Sequence, residues 1–210
     1  MNVNTIIQFL RSVSDESAIV SSRDPFYVLI STVLSQRTRD ENTFKASQNL
    51  FSKYDTPAKL ADAPLPEIEK LIKPVGFYKV KAKKIKQISQ DLIDKFDSKV
   101  PASRELLLSL DGVGPKTAGC VEVYAFGKDA LPVDTHVHRI SNRLGLVKTK
   151  TPEETEPALK KVIPQKHWKE INLLMVKFGQ KICLPRNPKC EKCELTKECE
   201  YFKKSTQTRV

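Results

Sequence analysis

Three groups of residues in this sequence have types and spacings that could do chemistry. The first is Leu110-Asp111-Gly112-Val113-Gly114-Pro115-Lys116-Thr117-Ala118-Gly119. Gly112 and Gly114 permit the positive φ and close backbone approach of a sharp reversal. Pro115 then suits the first position of a following helix. The unpaired N–H groups of that first turn, together with the helix dipole, form an anion site suited to a phosphate. Val113 either anchors the reversal or orients it at the bound backbone. Lys116 admits two readings. It is a point charge on a phosphate, or it is a nucleophilic amine, the role a lysine fills where its surroundings favour the neutral form.

The second group is Pro132-Val133-Asp134-Thr135-His136-Val137-His138. Asp134 stands where an N-cap belongs, just before a helical pattern. A carboxylate fixed at a helix start could also stabilise a cationic centre or position an attacking amine. His136 and His138 read as structural or partly exposed, and nothing demands a histidine base. The third group is Cys183, Cys190, Cys193 and Cys199, spaced C-x6-C-x2-C-x5-C. Four thiolates so close in sequence can converge on one tetrahedral zinc or one iron–sulfur cubane, and spacing alone leaves both open. Cys120, one helical turn after Lys116, reads as a buried packing thiol.

The elements that must position these groups read as helix throughout. Apolar residues recur at helical spacing over Thr5–Val13, Pro25–Ser35, Arg39–Tyr54, Pro57–Ala63, Pro66–Ile72 and Lys79–Phe96. Further helices are expected at Ser103–Leu110, Pro115–Phe126, Thr135–Leu144, Glu153–Ile163 and His167–Ile182. No two-residue alternation bounded by turns stands out, so the chain reads as all-α. The lysine run from Lys79 to Lys86 reads as a solvated helix face, with nonspecific phosphate attraction as the sharper alternative.

Composition agrees with a polyanion partner. Thirty-six Lys and Arg face 25 Asp and Glu, a net charge of +11 with a pI near 9.4. Such a surface steers nucleic acid or an anionic membrane surface toward the protein. No apolar window is long enough for a membrane span, and the first residues lack the order of a signal peptide. A cytoplasmic protein is expected, or a nuclear one in a nucleated source, where clustered cysteines more often hold metal than form disulfides.

Taken in order, L-D-G-V-G-P-K-T-A, V-D-T-H and the four-cysteine spacing resemble the endonuclease III family of helix-hairpin-helix DNA glycosylases. The likeness reaches back to Pro25-Phe26 and Leu34-Ser35 and so covers nearly the whole chain. It implies a two-lobed all-α fold: a helical barrel over 19–128, and a cluster lobe made of 1–18 and 129–210, with double-stranded DNA across the cleft. It implies a [4Fe–4S] cluster on Cys183, Cys190, Cys193 and Cys199. It also implies action on damaged bases or abasic sites, with DNA contacts from Gly112, Val113, Gly114 and Lys116; a monomer is the default expectation. By the same resemblance the damaged nucleotide is flipped out of the stack. Lys116 attacks C1′ and expels the base with help from Asp134, and the Schiff base undergoes β-elimination.

The chain departs from the family pattern in places. Asp111 stands where the family usually has proline. In Leu34-Ser35-Gln36-Arg37-Thr38-Arg39-Asp40 the glutamine comes one place early, which puts Gln36 and Arg37 at the DNA, Arg37 filling the gap left by the flipped base. Asp40 falls at the pocket aspartate, with His136 also assigned to the substrate pocket. Phe77 falls at the apolar wedge, although alone it reads as a core or turn residue. The favoured activity is removal of oxidised or damaged pyrimidines followed by strand nicking. The alternatives are a mismatch or uracil glycosylase of the same superfamily, and a DNA-binding module without catalysis.

Overall fold

A computed structural model of the chain describes residues 2–14 and 24–207. Among them are twelve α-helices and no strand. The chain divides into two compact units, Val20–Lys128 and Met1–Ile19 with Asp129–Val210. The first of these boundaries, expected near residue 18, lies outside the described residues.

The Val20–Lys128 unit is built on α2 (Pro25–Ser35). Phe26, Val28, Leu29, Ile30, Val33 and Leu34 are all buried, so this helix is apolar nearly all round and belongs inside. Asp24 caps it by accepting from the amides of Phe26 and Tyr27 at 3.3 and 3.1 Å. Packed round it are α3 (Asp40–Phe51), α6 (Tyr78–Phe96) and α8 (Pro115–Tyr124), while α4 (Pro57–Asp62) and α5 (Leu65–Leu71) lie on α6. The short α7 (Arg104–Leu108) packs on α8.

In the other unit, α1 (Val3–Val13) lies against α11 (Trp168–Lys181), with the Phe9 and Phe178 rings edge-on at 5.7 Å. Between them in sequence, α9 (Thr135–Leu144) contacts α10 (Pro152–Val162), α11 and α12 (Glu200–Gln207). Among the described residues no helix is long and apolar enough to cross a membrane.

The structure departs from the sequence reading in three places. The helix expected to run to Tyr54 stops at Phe51, because the amides of Lys53 and Tyr54 both turn back to the Leu50 carbonyl. Helix α12 was not expected, since Glu200-Tyr-Phe-Lys-Lys is too polar to show a periodic face. The lysine run is not a uniform solvated face. Lys81 is only 4% exposed, and Lys86 donates to the carbonyls of Ala61 and Ala63 at the end of α4.

Phe178 is fully buried and meets the Phe9 ring edge-on. Phe178→Ala is expected to lower unfolding free energy by about 3–5 kcal/mol, read from urea denaturation.

Candidate functional site

Helices α7 and α8 form the hairpin, and Arg104 ties one to the other by donating to Glu122 at 3.0 Å. The turn between them closes when the Val113 amide donates to the Leu110 carbonyl at 3.1 Å. The Val113 side chain is buried in the core of its unit, so this residue anchors the turn. The two turn glycines differ. Gly112 has φ +82°, and a Cβ there would lie 3.0 Å from Cδ of Lys84, whose stem covers the turn. Both facts call for glycine. Gly114 has φ −91° and ψ 178°, which any residue adopts, and nothing lies within 4 Å of where its Cβ would be. The fold of the unit does not need a glycine there, and the space above it is open. As N-cap of α8 it offers no side chain, so the first-turn amides receive no side-chain cap. Lys116 stands half-buried in that uncapped turn.

Two further turns lie in the same unit. Gln36 reaches the hairpin, its Nε2 donating to the Gly112 carbonyl and Thr117 Oγ1, both at 3.4 Å. Arg37 follows at φ +52° and Phe77 stands at φ +57°. For residues other than glycine this backbone costs roughly 1–2 kcal/mol each. The two turns touch. The Gly76 amide donates to Thr38 Oγ1 at 3.2 Å, and a Cβ on Gly76 would come 3.1 Å from the Arg37 carbonyl. Phe77 is 64% exposed, with the Arg37 guanidinium 6.0 Å from its ring centre. Asp40 is exposed at the first position of α3.

Beneath these turns the Lys81 ammonium donates to the carbonyls of Leu34 and Gln36 and to Thr38 Oγ1. Burial pushes its pKa down to about 8, so the three acceptors matter in keeping the proton on it. The sequence reading missed this residue. The signal was present, since Lys81, Ile85, Ile88 and Leu92 fall at helical spacing and all four are buried.

In the other unit Asp134 caps α9. Its Oδ1 accepts from the amides of His136 and Val137 at 2.9 and 2.8 Å. Both bonds fall on one oxygen, and Oδ2 makes none among the described residues. His136 lies 3.1 Å from Nη2 of Arg139, and both side chains press on the Cα of Gly179, where a Cβ would collide with them. Gly179 therefore lets α9 and α11 approach closely. His138 bonds Thr155 Oγ1 at 2.7 Å.

Cys183, Cys190, Cys193 and Cys199 line one cavity with Arg143 and Phe178, and all are free thiols. Burial pushes the Cys193 thiol up to about 11, and burial with the nearby cysteines raises Cys190. Thiolates in this setting need compensating positive charge. Arg143 supplies some, donating to Cys183 Sγ at 3.4 Å and to the Leu184 carbonyl at 2.7 Å. Cys199 Sγ in turn donates to the Arg143 carbonyl at 3.3 Å. Among the described residues no three Cys, His, Asp or Glu side chains are grouped to hold a single metal ion.

A glycine hairpin opening an uncapped helix, in an all-helical chain with four cysteines round one cavity, is the architecture of a helix-hairpin-helix DNA repair protein. Residues 30–165 match the HhH-GPD superfamily of base excision DNA repair proteins. Endonuclease III of Thermotoga maritima is 58% identical over 181 residues, 86% of this chain and 85% of that protein. A trapped covalent intermediate of endonuclease III with DNA superposes with a TM-score of 0.88 at 36% identity, covering 98% of this chain and 99% of the other. A thermostable thymine-DNA glycosylase gives 0.84 at 28%, covering 96% of each. The chain belongs to the endonuclease III family, enzymes of base excision repair that act as DNA glycosylases and AP lyases. Proteins of this family generally carry a [4Fe–4S] cluster.

The two turn glycines give opposite expectations. Gly112→Ala is expected to cost about 1–2 kcal/mol of stability, because the substituted residue keeps an unfavourable φ and meets Lys84. Gly114→Ser is expected to stay within about 0.5 kcal/mol of wild type or to gain, since serine is a good N-cap. Urea unfolding of the two variants measures both.

Proposed function

We propose that this chain removes oxidised or damaged pyrimidines from double-stranded DNA through a Schiff base on Lys116 and then nicks the strand 3′ to the lesion. The observation that carries this reading is the place of Lys116, an amine in the uncapped first turn of the hairpin helix. The open space over Gly114 supports the approach of a phosphate to the amides of that turn.

The chemistry follows from these groups. The damaged nucleotide leaves the stack, since C1′ is unreachable within the duplex. Arg37 and Phe77, exposed on neighbouring turns, enter the duplex where the nucleotide has left. Lys116 Nζ attacks C1′, and the base departs with the electron pair of the glycosidic bond and takes up a proton. Asp134 has Oδ1 committed to its helix and presents Oδ2 to the positive charge that develops at C1′ and the amine. Loss of the amine protons and ring opening give an imine between Nζ and C1′. Removal of a C2′ proton then expels the 3′ phosphate, and water frees the lysine.

Cys183, Cys190, Cys193 and Cys199 would hold a [4Fe–4S] cluster through their thiolates. A single zinc would draw four sulfurs to within about 3.8 Å of one another, given Zn–S bonds near 2.3 Å. Four thiols lining one cavity leave room for the larger group. When bound, the cluster supplies a structural knot for the loop that carries Arg186 and Lys192. The enzyme acts as a monomer on chromosomal DNA, in the cytoplasm or, in a nucleated source, the nucleus. The likeness to a thymine-DNA glycosylase favours one second reading, removal of thymine or uracil opposite guanine.

Borohydride trapping on a panel of lesion duplexes tests the assignment. Wild type is expected to form a covalent adduct with oxidised pyrimidines, and Lys116→Gln none; absence of any adduct, on lesions or abasic sites, sinks the lyase reading. Preference for mismatched thymine or uracil in the same panel selects the second reading. Asp134→Asn keeps the cap, so its stability is expected within about 0.5 kcal/mol of wild type. Base release by this variant should nonetheless fall about 10²- to 10³-fold. Gly114→Ser should bind duplex DNA more weakly at unchanged stability. Iron and sulfide analysis should return about four of each per chain, and zinc in their place overturns the cluster.

A further inference from the structure

Arg37 and Phe77 are both exposed, both at positive φ, and on turns that touch. Backbone of this kind persists only where its surroundings hold it. The restraint lies underneath. Lys81 is buried on a helix face shared with Ile85, Ile88 and Leu92, where an apolar side chain would avoid the desolvation of a charge. Its three N–H groups are fully used, on Leu34 O, Gln36 O and Thr38 Oγ1.

Capping the end of α2 explains the bonds to Leu34 and to Gln36, the C-cap residue. The third acceptor, Thr38 Oγ1, lies beyond the helix, so the ammonium holds positions on both sides of Arg37. Thr38 Oγ1 is a node. It receives Lys81 at 2.8 Å and the Gly76 amide at 3.2 Å, and donates to the Gln36 carbonyl at 3.2 Å. Gly76 immediately precedes Phe77, and its missing Cβ lets the Arg37 carbonyl approach. One ammonium therefore fixes the backbone on both sides of Arg37 and, through Thr38, the residue before Phe77.

We propose that Lys81 is a positioning residue for nucleotide extrusion, locking the 36–38 and 76–77 turns together so that Arg37 and Phe77 enter the duplex as one unit. This rests on the reading above that those two side chains enter the duplex. Lys81 touches neither DNA nor the reacting atoms, so its loss should damage extrusion and leave amine chemistry intact.

The test uses the full chain carrying Lys81→Met, which keeps length and removes the charge, and Thr38→Val, which keeps shape and removes the node. Three readouts are compared with wild type. They are single-turnover base release from a thymine glycol duplex, 2-aminopurine fluorescence beside the lesion as a report of extrusion, and borohydride trapping on a single-stranded abasic oligonucleotide, which needs no extrusion. Lys81→Met is expected to lose about 10- to 100-fold in base release, with a matching fall in the fluorescence change and trapping within about twofold of wild type. Thr38→Val should show the same pattern with a smaller loss, and it decides the matter if Lys81→Met does not fold. Base release and extrusion near wild type in a folded variant overturn the proposal, as does a parallel loss of single-stranded trapping. Arg37→Ala and Phe77→Ala run alongside. If neither lowers the extrusion signal, the reading of those side chains falls first. If they lower it and the Lys81 and Thr38 variants do not, the proposal alone falls.

Discussion

An all-helical chain gathers its unpaired backbone N–H and C=O groups at helix ends, and each end must be met by a side chain, a tightened turn, solvent or a ligand. Here the ends are met in different ways. Lys81 takes the carbonyls at the end of α2, and Lys86 takes those at the end of α4. Asp134 takes the amides at the start of α9. The start of α8 has no side-chain cap. Other helices, α3 and α11 among them, also start without a side-chain cap; what sets the start of α8 apart is the open space over Gly114 and the half-buried Lys116 beside it. A turn with no side-chain cap, open space over Gly114 and a half-buried amine is poor design for stability alone and suits the anion-and-amine role proposed for it.

The same constraint shows how the catalytic role proposed for Asp134 is compatible with its role as cap. Two amides on a single oxygen hold the carboxylate in place without consuming the other oxygen. Gly179 secures the same helix from the side, since α9 and α11 approach closely enough for His136 and Arg139 to press on its Cα. A carboxylate so held loses little conformational freedom when charge develops near it, which is what electrostatic stabilisation of a cationic centre requires. Asparagine keeps the capping geometry and loses the charge, so the two roles separate chemically.

Much of this was legible in the sequence, and the failures have physical causes. Helix α2 was readable because its apolar residues run nearly all round, and α9 because Asp134 stands as N-cap just before its helical pattern. Helix α12 was not, because its eight residues carry no apolar period. The cysteine spacing showed that four thiols can converge, while the single cavity they line is a matter of geometry that spacing does not contain. The lysine run misled because composition was read before period. Helical spacing places Lys81 with Ile85 and Ile88, and a charge on an apolar face is the informative exception. Gly112 and Gly114 look alike in sequence, and only their φ values and surroundings separate a glycine the fold requires from one it does not.

Charge and geometry divide the remaining work. A net charge of +11 raises the encounter rate with DNA, but at physiological salt such fields fade over about 8 Å and carry no register. The exposed Asp111 shows the same limit from the other side. A carboxylate at the mouth of the hairpin opposes phosphate only weakly through solvent, while the amides of the first turn of α8 act at contact distance. Selection of a nucleotide therefore cannot come from the basic surface. It has to come from short-range features that cost energy to maintain, and the features proposed for it are the Arg37 and Phe77 turns at positive φ, with a buried ammonium under them. A basic surface tolerates substitution because many lysines share one long-range task. The pair of turns has a single cation beneath it, so its tolerance is that of one residue.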